Sequence, residues 1–410
     1  MSPLWKTVLC LKLFAAWRSQ VEFRTMTSRR PRLDYTQRCP CSGQSYLHRP
    51  YSSSHAETQA RTPLLTEAPP GGHSVSAAVG GDAGGKASCL PLAREVGVRA
   101  AAGGGGNFIV SPLSIHAALA LVAAGTRGKT REELLGIEFM LQLTHPKTSF
   151  ACGVWVDRGQ ELEPEFMATA ASRYAATAES VDFSSDPEQA RRRVNAFVAG
   201  VTDGRIRDVL LPGSVGASTR VILANALYFN GTWSQPFDQS ATFTALFHVP
   251  DGAIVRAPFM TTGRFPFEQH VAVYRGFRAL KLSYKNDDDH VGPRAEAALY
   301  MLLLLPDGAA LGLADLYDKS VATPGCLKSH TPAAQVLVGR FMVPKFKFTF
   351  EFEASSDMRK LGVTRAFGGG DFSGMVSGGD GLFITGMYHK ATIKVDEQGT
   401  VAAAATAVGI

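Results

Sequence analysis

The 410-residue chain is 45% hydrophobic, 9% aromatic and 19% charged, a balance that can bury a substantial core and excludes wholesale disorder. Its formal net charge of +6 is concentrated at the start, where residues 1–61 carry ten basic and three acidic side chains and leave the remainder nearly neutral. No nucleic-acid partner is expected, because phosphate recognition needs a clustered basic face on the folded body, and no membrane partner, because no window of eighteen apolar residues occurs.

The apolar stretch Thr7 to Trp17 is interrupted by Lys12 and followed by Arg18 without a small-residue cleavage site. A secretory signal, an Arg- and Ser-rich targeting segment and a disordered extension all remain open, so localisation stays between the extracellular space and the cytoplasm. Residues 62–85 are rich in Pro, Gly, Ala and Ser and read as linker. The expected organisation is a basic extension and linker over 1–85 and a folded domain over 86–410. The six cysteines (Cys10, Cys39, Cys41, Cys89, Cys152, Cys326) form no disulfide framework, and Cys39-Pro40-Cys41 has neither metal-knuckle nor redox spacing. They read as unpaired thiols.

Leu92, Val96 and Arg99 to Ala102 predict a short helix ended by Gly103 to Gly106. A second helix is fully punctuated: Ser111 caps it, Pro112 suits its first position, Ile115, Ala118, Leu119 and Val122 share a face, and Gly125 ends it. Phe150 to Val156 predicts a strand. Pro164 and Pro187 open helices, one running through Tyr174 and the other carrying Val194, Phe197, Val198 and Val201. Thr219 to Phe229 is apolar almost throughout, as in a strand covered on both faces. Further strands are predicted at Ala241–Val249, Ile254–Met260, Val271–Tyr274, Ala279–Leu282, Ala297–Leu305 and Val336–Val343. Lys345 to Glu353 alternates phenylalanines with polar residues. Strands outnumber helices without a βαβ rhythm, so the class is α+β with several mixed or antiparallel sheets.

Enzyme chemistry finds little support. Gly128-Lys129-Thr130 mimics the end of a phosphate loop, but Ala123 stands where the required glycine belongs. No Gly-x-Ser-x-Gly elbow occurs, and the histidines lack metal-ligand spacing, so no catalytic residue, metal or cofactor is expected. Asp287-Asp288-Asp289-His290 reads as a solvated loop. Asn230-Gly231-Thr232 is a formal glycosylation sequon, meaningful only in a secreted chain.

The informative segment is His389 to Ile410. His389 to Val395 predicts a strand, then come Asp396-Glu397-Gln398, Gly399-Thr400, Val401 and the run Ala402 to Ala405, with Thr406 beyond. The alanine run alone is compatible with a helix or a structureless tail. It is also slim enough to slide between two strands, with Thr400, Ala402, Ala404 and Thr406 on one face and Val401, Ala403 and Ala405 on the other.

With these residues in view, the chain resembles the serpin family, most closely the Z-type plant serpins. The resemblance spans Asn107 to the C-terminus. It rests on Asn107-Phe108 through Ser111-Pro112-Leu113-Ser114-Ile115, Gly125 to Thr130, Asn225-Ala226-Leu227-Tyr228-Phe229 with Gly231 and Trp233, Val343-Pro344-Lys345-Phe346, Leu361-Gly362 through Ala366-Phe367, Asp371-Phe372-Ser373-Gly374, and His389-Lys390-Ala391 followed by Glu397, Gly399 and Thr400. It implies three β-sheets, eight to nine helices and an exposed reactive loop that baits a serine protease, trypsin- or chymotrypsin-like, and inserts as a strand after cleavage. The chain would then be a monomeric serine protease inhibitor and no enzyme; the rival is a non-inhibitory serpin used for storage, binding or chaperone duty, or a pseudogene product.

By the same resemblance, Glu397 ends the preceding strand, Gly399 is the flexible point and Thr400 the first inserted side chain, followed by Ala402, Ala403, Ala404, Ala405 and Thr406. Ser111, Ser114, Asn225 and His389 would form the hydrogen-bonded shutter beneath the opening strands, and Trp233 would mark the breach where insertion starts. Three departures stand out. The family places its scissile bond beyond Ile410, so no bait residue is present and the fold is expected to be incomplete, truncated within the reactive loop. Residues 137–147 stand where the family has a much longer stretch. Gln398 and Val401 replace residues that are more often polar or acidic.

Overall fold

The computed structural model describes residues 89–102, 107–136, 148–248, 254–262, 267–285, 299–307, 312–323, 325–339 and 341–410. The expected extension over 1–85, the glycines 103–106, the shortened stretch 137–147 and Asp287 to His290 lie outside them. In chain order the helices are α1 (Cys89–Ala102), α2 (Pro112–Ala124), α3 (Gly128–Leu135), α4 (Pro164–Tyr174), α5 (Pro187–Val201), α6 (Leu313–Ala322), α7 (Cys326–Ser329) and α8 (Ser355–Lys360). The strands are β1 (Thr148–Asp157), β2 (Ala176–Val181), β3 (Val221–Thr232), β4 (Phe243–His248), β5 (Ile254–Met260), β6 (Phe267–Tyr274), β7 (Phe277–Ser283), β8 (Tyr300–Pro306), β9 (Val336–Val338), β10 (Val343–Pro344), β11 (Phe346–Glu353), β12 (Gly386–Val395) and β13 (Gly399–Gly409).

The punctuation read in the sequence sets several boundaries. Ser111 Oγ accepts a hydrogen bond from Ser114 N at the start of α2, Pro112 takes its first position, and Gly125 closes it. Asp186 caps α5 through Gln189 N, ahead of Pro187. The segment predicted as one strand over Val336–Val343 is divided into β9 and β10, which pair with different partners, β6 and β5. Gly128-Lys129-Thr130 begins α3 rather than a phosphate loop.

Three sheets result, ordered β11-β12-β13-β3-β1-β2, β10-β5-β4 and β8-β7-β6-β9. In the six-stranded sheet every neighbouring pair is antiparallel except β1 with β2. One face packs on α2, where Ile115, Leu119 and Val122 join Phe372, Met375, Val408 and Ile410. The same side continues against the four-stranded sheet, where Phe229, Ile393, Ala402 and Ala404 meet Leu280, Leu282 and Met301. The other face lies under α5, whose Val194 and Val198 cover Trp155, Ala224, Ala403, Ala405 and Ala407.

The three-sheet architecture is the one the resemblance implies. The segment expected as an exposed reactive loop is not a loop here. Gly399 to Gly409 is a central strand, paired over ten residues with β12 and eleven with β3. Its small side chains let two covered layers close on it, and each of its backbone edges finds a ladder partner, so the pairing of two flanking strands overrides the helical preference of an alanine run.

Candidate functional site

The candidate site is the central strand β13 with the residues that flank it. It begins at a tight turn. Asp396 Oδ1 accepts from Gln398 N at 3.0 Å and from Gly399 N at 3.3 Å, and Asp396 N donates to Gly399 O at 3.0 Å. Glu397, expected at the end of the preceding strand, lies two residues beyond it, inside this turn, since β12 stops at Val395. Trp233 brackets the turn from β3: its Nε1 donates to Asp396 O and its backbone N to Gln398 O, both at 2.9 Å.

Glu397 is buried, its side chain only 5% exposed. Lys345 Nζ donates to both of its carboxylate oxygens, and Thr242 Oγ1 donates to Oε1 at 2.8 Å. Burial by itself pushes this carboxyl up. Hydrogen bonds from Lys345, from its own backbone N–H and from Thr242, with the Lys345 charge, outweigh burial and hold it below the ordinary glutamate value.

Gly399 requires its glycine for space. A Cβ there would collide with the carbonyl oxygen of Gly231 on β3. Thr400 is fully buried, and Tyr284, just beyond β7, donates its hydroxyl to Thr400 Oγ1 at 2.9 Å. The two faces of β13 are those that alternation predicts: Ala402 and Ala404 enter the inner layer, Ala403, Ala405 and Ala407 the layer under α5, and Val401 is half-buried on the outer face. Asn230 and Thr232 of the sequon are exposed on β3.

Ser111, Ser114, Asn225 and His389 come together beneath β13, joined by Thr406. Ser114 Oγ donates to Asn225 Oδ1 at 2.7 Å, and Asn225 Nδ2 donates to Ser114 O at 2.7 Å. Thr406 Oγ1 lies 2.8 Å from Ser114 Oγ and 2.8 Å from His389 Nδ1, while Ser111 N donates to His389 Nε2 at 3.2 Å. This fixes the proton order. Since Nε2 accepts, Nδ1 carries the hydrogen and donates to Thr406 Oγ1, whose own hydrogen then goes to Ser114 Oγ, whose hydrogen goes to Asn225. Burial pushes the His389 imidazole down to about 3, in keeping with a neutral ring. Asn225 and His389 therefore communicate through Thr406 and Ser114 and do not touch directly.

Sequence reasoning missed Tyr284, Thr242 and the carboxylate-binding role of Lys345. Each stands 50 or more residues from the hinge residue it touches, so no local spacing signals it. Cys152 and Cys326 are buried and unpaired, and burial raises the Cys152 thiol to about 12, which leaves it unreactive. Among the described residues no group of three or more His, Cys, Asp or Glu could hold a metal ion, and no helix is long and apolar enough to cross a membrane.

Comparison with known proteins places the chain as a whole. Residues 89–410 match the profile of the family described as Serpin (serine protease inhibitor). A serpin-Z12 of Oryza sativa subsp. japonica is 66% identical over 348 residues, covering 79% of this chain and 81% of its own length. Serpin-ZX of Arabidopsis thaliana is 38% identical over 326 residues, covering 73% and 81%. The structure of Arabidopsis AtSerpin1, in its native stressed conformation, superposes with a TM-score of 0.66 at 34% identity, covering 77% of this chain and 85% of that one. Cleaved Serpin 42Da superposes with a TM-score of 0.69 at 27% identity, covering 79% and 88%. The family model spans most of the chain and the plant relatives match it over more than two thirds of their own length: the chain belongs to the serpin family, a family of protease inhibitors rather than enzymes, and within it to the Z-type serpins of plants.

Proposed function

We propose that this protein is a serine-type endopeptidase inhibitor that works by reactive-loop insertion, with Gly399 to Thr406 as the inserting hinge, Ser111, Ser114, Asn225 and His389 as the shutter, and Trp233 at the breach. The observation that carries the reading is β13 itself, an eleven-residue strand of small side chains antiparallel to both neighbours. A non-inhibitory loop has no need for side chains that fit both covered layers of a sheet. The inserted strand is the relaxed end of the reaction: its ladder bonds and burial are the free energy that insertion releases after the bait is cut. Inhibition therefore belongs to the state in which this hinge is still outside the sheet. The targets implied are trypsin- or chymotrypsin-like serine proteases.

The test extends the chain past Ile410 with a serpin segment bearing an Arg or a Phe bait and mixes it with trypsin and chymotrypsin. A denaturing gel should show a band at the summed mass. Thr400→Arg in the same extension should be cut without trapping, because a long cation cannot enter the sheet unpaired. An equally strong complex from that variant, or none from the parent, would overturn the reading.

A further inference from the structure

Tyr284 sits where the four-stranded sheet meets the breach, 2% exposed, and among the described residues its hydroxyl has one partner, Thr400 Oγ1. Several contacts fix the ring. It stacks on Trp233 with centroids 4.7 Å apart at 13°, and Phe229 meets it edge-on at 5.0 Å. The backbone is tied on both sides, by an antiparallel bridge to Trp233 and by Tyr284 N donating to Leu299 O at 2.9 Å. Gly231 makes the room: a Cβ there would come within 2.7 Å of the Tyr284 ring and 2.5 Å of Phe229. A rigid ring thus holds one hydroxyl at the place where the first inserted side chain arrives.

A buried hydroxyl needs a partner, and one left unsatisfied carries its desolvation cost in full. We propose that Tyr284 is the positioning residue that selects a hydroxyl at the first inserted position, closing on Thr400 when the hinge enters the sheet. This rests on reading Gly399 to Thr406 as an inserting hinge. Small size alone would admit Ala or Val at position 400; the phenol adds a chemical preference for Thr or Ser. The ring stays protonated throughout the physiological range because burial raises its pKa, against a smaller opposite effect of the Thr400 bond, so the preference does not change with pH.

The test needs no protease. Tyr284→Phe and Thr400→Val are near-isosteric and remove one hydroxyl each. In the chain ending at Ile410, hydrogen exchange over Gly399 to Ala403 should quicken roughly tenfold in either variant, while α2 and α5 keep the parent's protection. The double variant should exchange no faster than the single ones, since the second change removes a bond already lost. Thr400→Ser should match the parent. Additive acceleration of about a hundredfold in the double variant, unchanged exchange in either single variant, or equal acceleration in α2 and α5 would overturn the proposal. The outcome is separable from the inhibitor reading: coupling without protease trapping leaves Tyr284 in its role and removes the inhibitor, and trapping without coupling does the reverse.

Discussion

Lys345 Nζ lies 2.8 Å from Glu397 Oε2, tying the residue that leads into β11 to the turn between β12 and β13. The two partners differ in setting: the lysine side chain is 35% exposed and the carboxylate 5%. Most of the cost of breaking the pair therefore falls on the glutamate. Lys345→Met should lower stability by about 1–3 kcal/mol in urea unfolding, through a buried acceptor left short of a donor. Adding Glu397→Gln should recover part of that loss. No loss in Lys345→Met would class the pair with surface ion pairs, which contribute little.

Acid should loosen the protein through His389. Its folded pKa of about 3 lies below the ordinary 6.5, so the unfolded chain takes up a proton that the folded chain refuses. The stabilisation is complete above pH 6.5 and is lost as pH falls toward 3, at roughly 1.4 kcal/mol per pH unit. His270 is also lowered, by burial first and then by the Lys281 charge, and contributes in the same direction. The carboxyls of Glu397 and Asp396, held below their ordinary values, act only at lower pH. Urea midpoints measured between pH 7.5 and 5 should fall steeply in the parent and less steeply in His389→Asn, with His270→Gln separating the second contribution. Parallel slopes in the parent and His389→Asn would show that His389 is not held neutral.

Much of this was legible where local chemistry sets the boundary. Ser111-Pro112 at the start of α2 and Gly125 at its end carry their signals within a few residues, and Ile254–Met260 forms β5 as predicted. The alternation of Lys345 to Glu353 likewise emerges as β11, with its phenylalanines half-buried and the residues between them exposed. The state of Gly399 to Gly409 was not legible, because Ala402 to Ala405 suits a helix, a loop or a strand, and the choice is made by β3 and β12. The helix α3 was not legible, because its eight residues are mostly polar, only Thr130 and Leu134 are buried, and no side chain caps its start. The grouping of Ser111, Ser114, Asn225 and His389 was expected through resemblance, whereas the central place of Thr406 among them, between Ser114 and His389, has no local signal in the sequence.

Gly399→Ala tests the close approach at the hinge. The added methyl meets the Gly231 carbonyl, a backbone atom that cannot swing aside, so the first rungs of the β13 ladder must part. The expected cost is about 1–3 kcal/mol, confined to the top of the strand. Hydrogen exchange should quicken over Gly399 to Val401 and stay unchanged in the β11–β12 pair. Unaltered exchange throughout would show that the sheet accommodates a side chain at this position.

Thr406 makes the most demanding prediction, because one hydroxyl serves two partners on opposite elements. It accepts from His389 Nδ1 on β12 and donates to Ser114 Oγ on α2. Thr406→Val keeps the shape and removes both bonds. His389 is then left with a buried N–H without an acceptor, while Ser114 keeps its bond to Asn225. A loss of about 1–3 kcal/mol is expected in urea unfolding, and Thr406→Ser should recover nearly all of it. Asn225→Ala should cost a similar amount by freeing Ser114 O and Ser114 Oγ. The two changes act through the same serine, so their double variant should lose measurably less than the sum of the single losses. Strict additivity between Thr406→Val and Asn225→Ala would mean that the Ser114 hydroxyl does not link them, and the buried chain from His389 to Asn225 would reduce to two independent contacts.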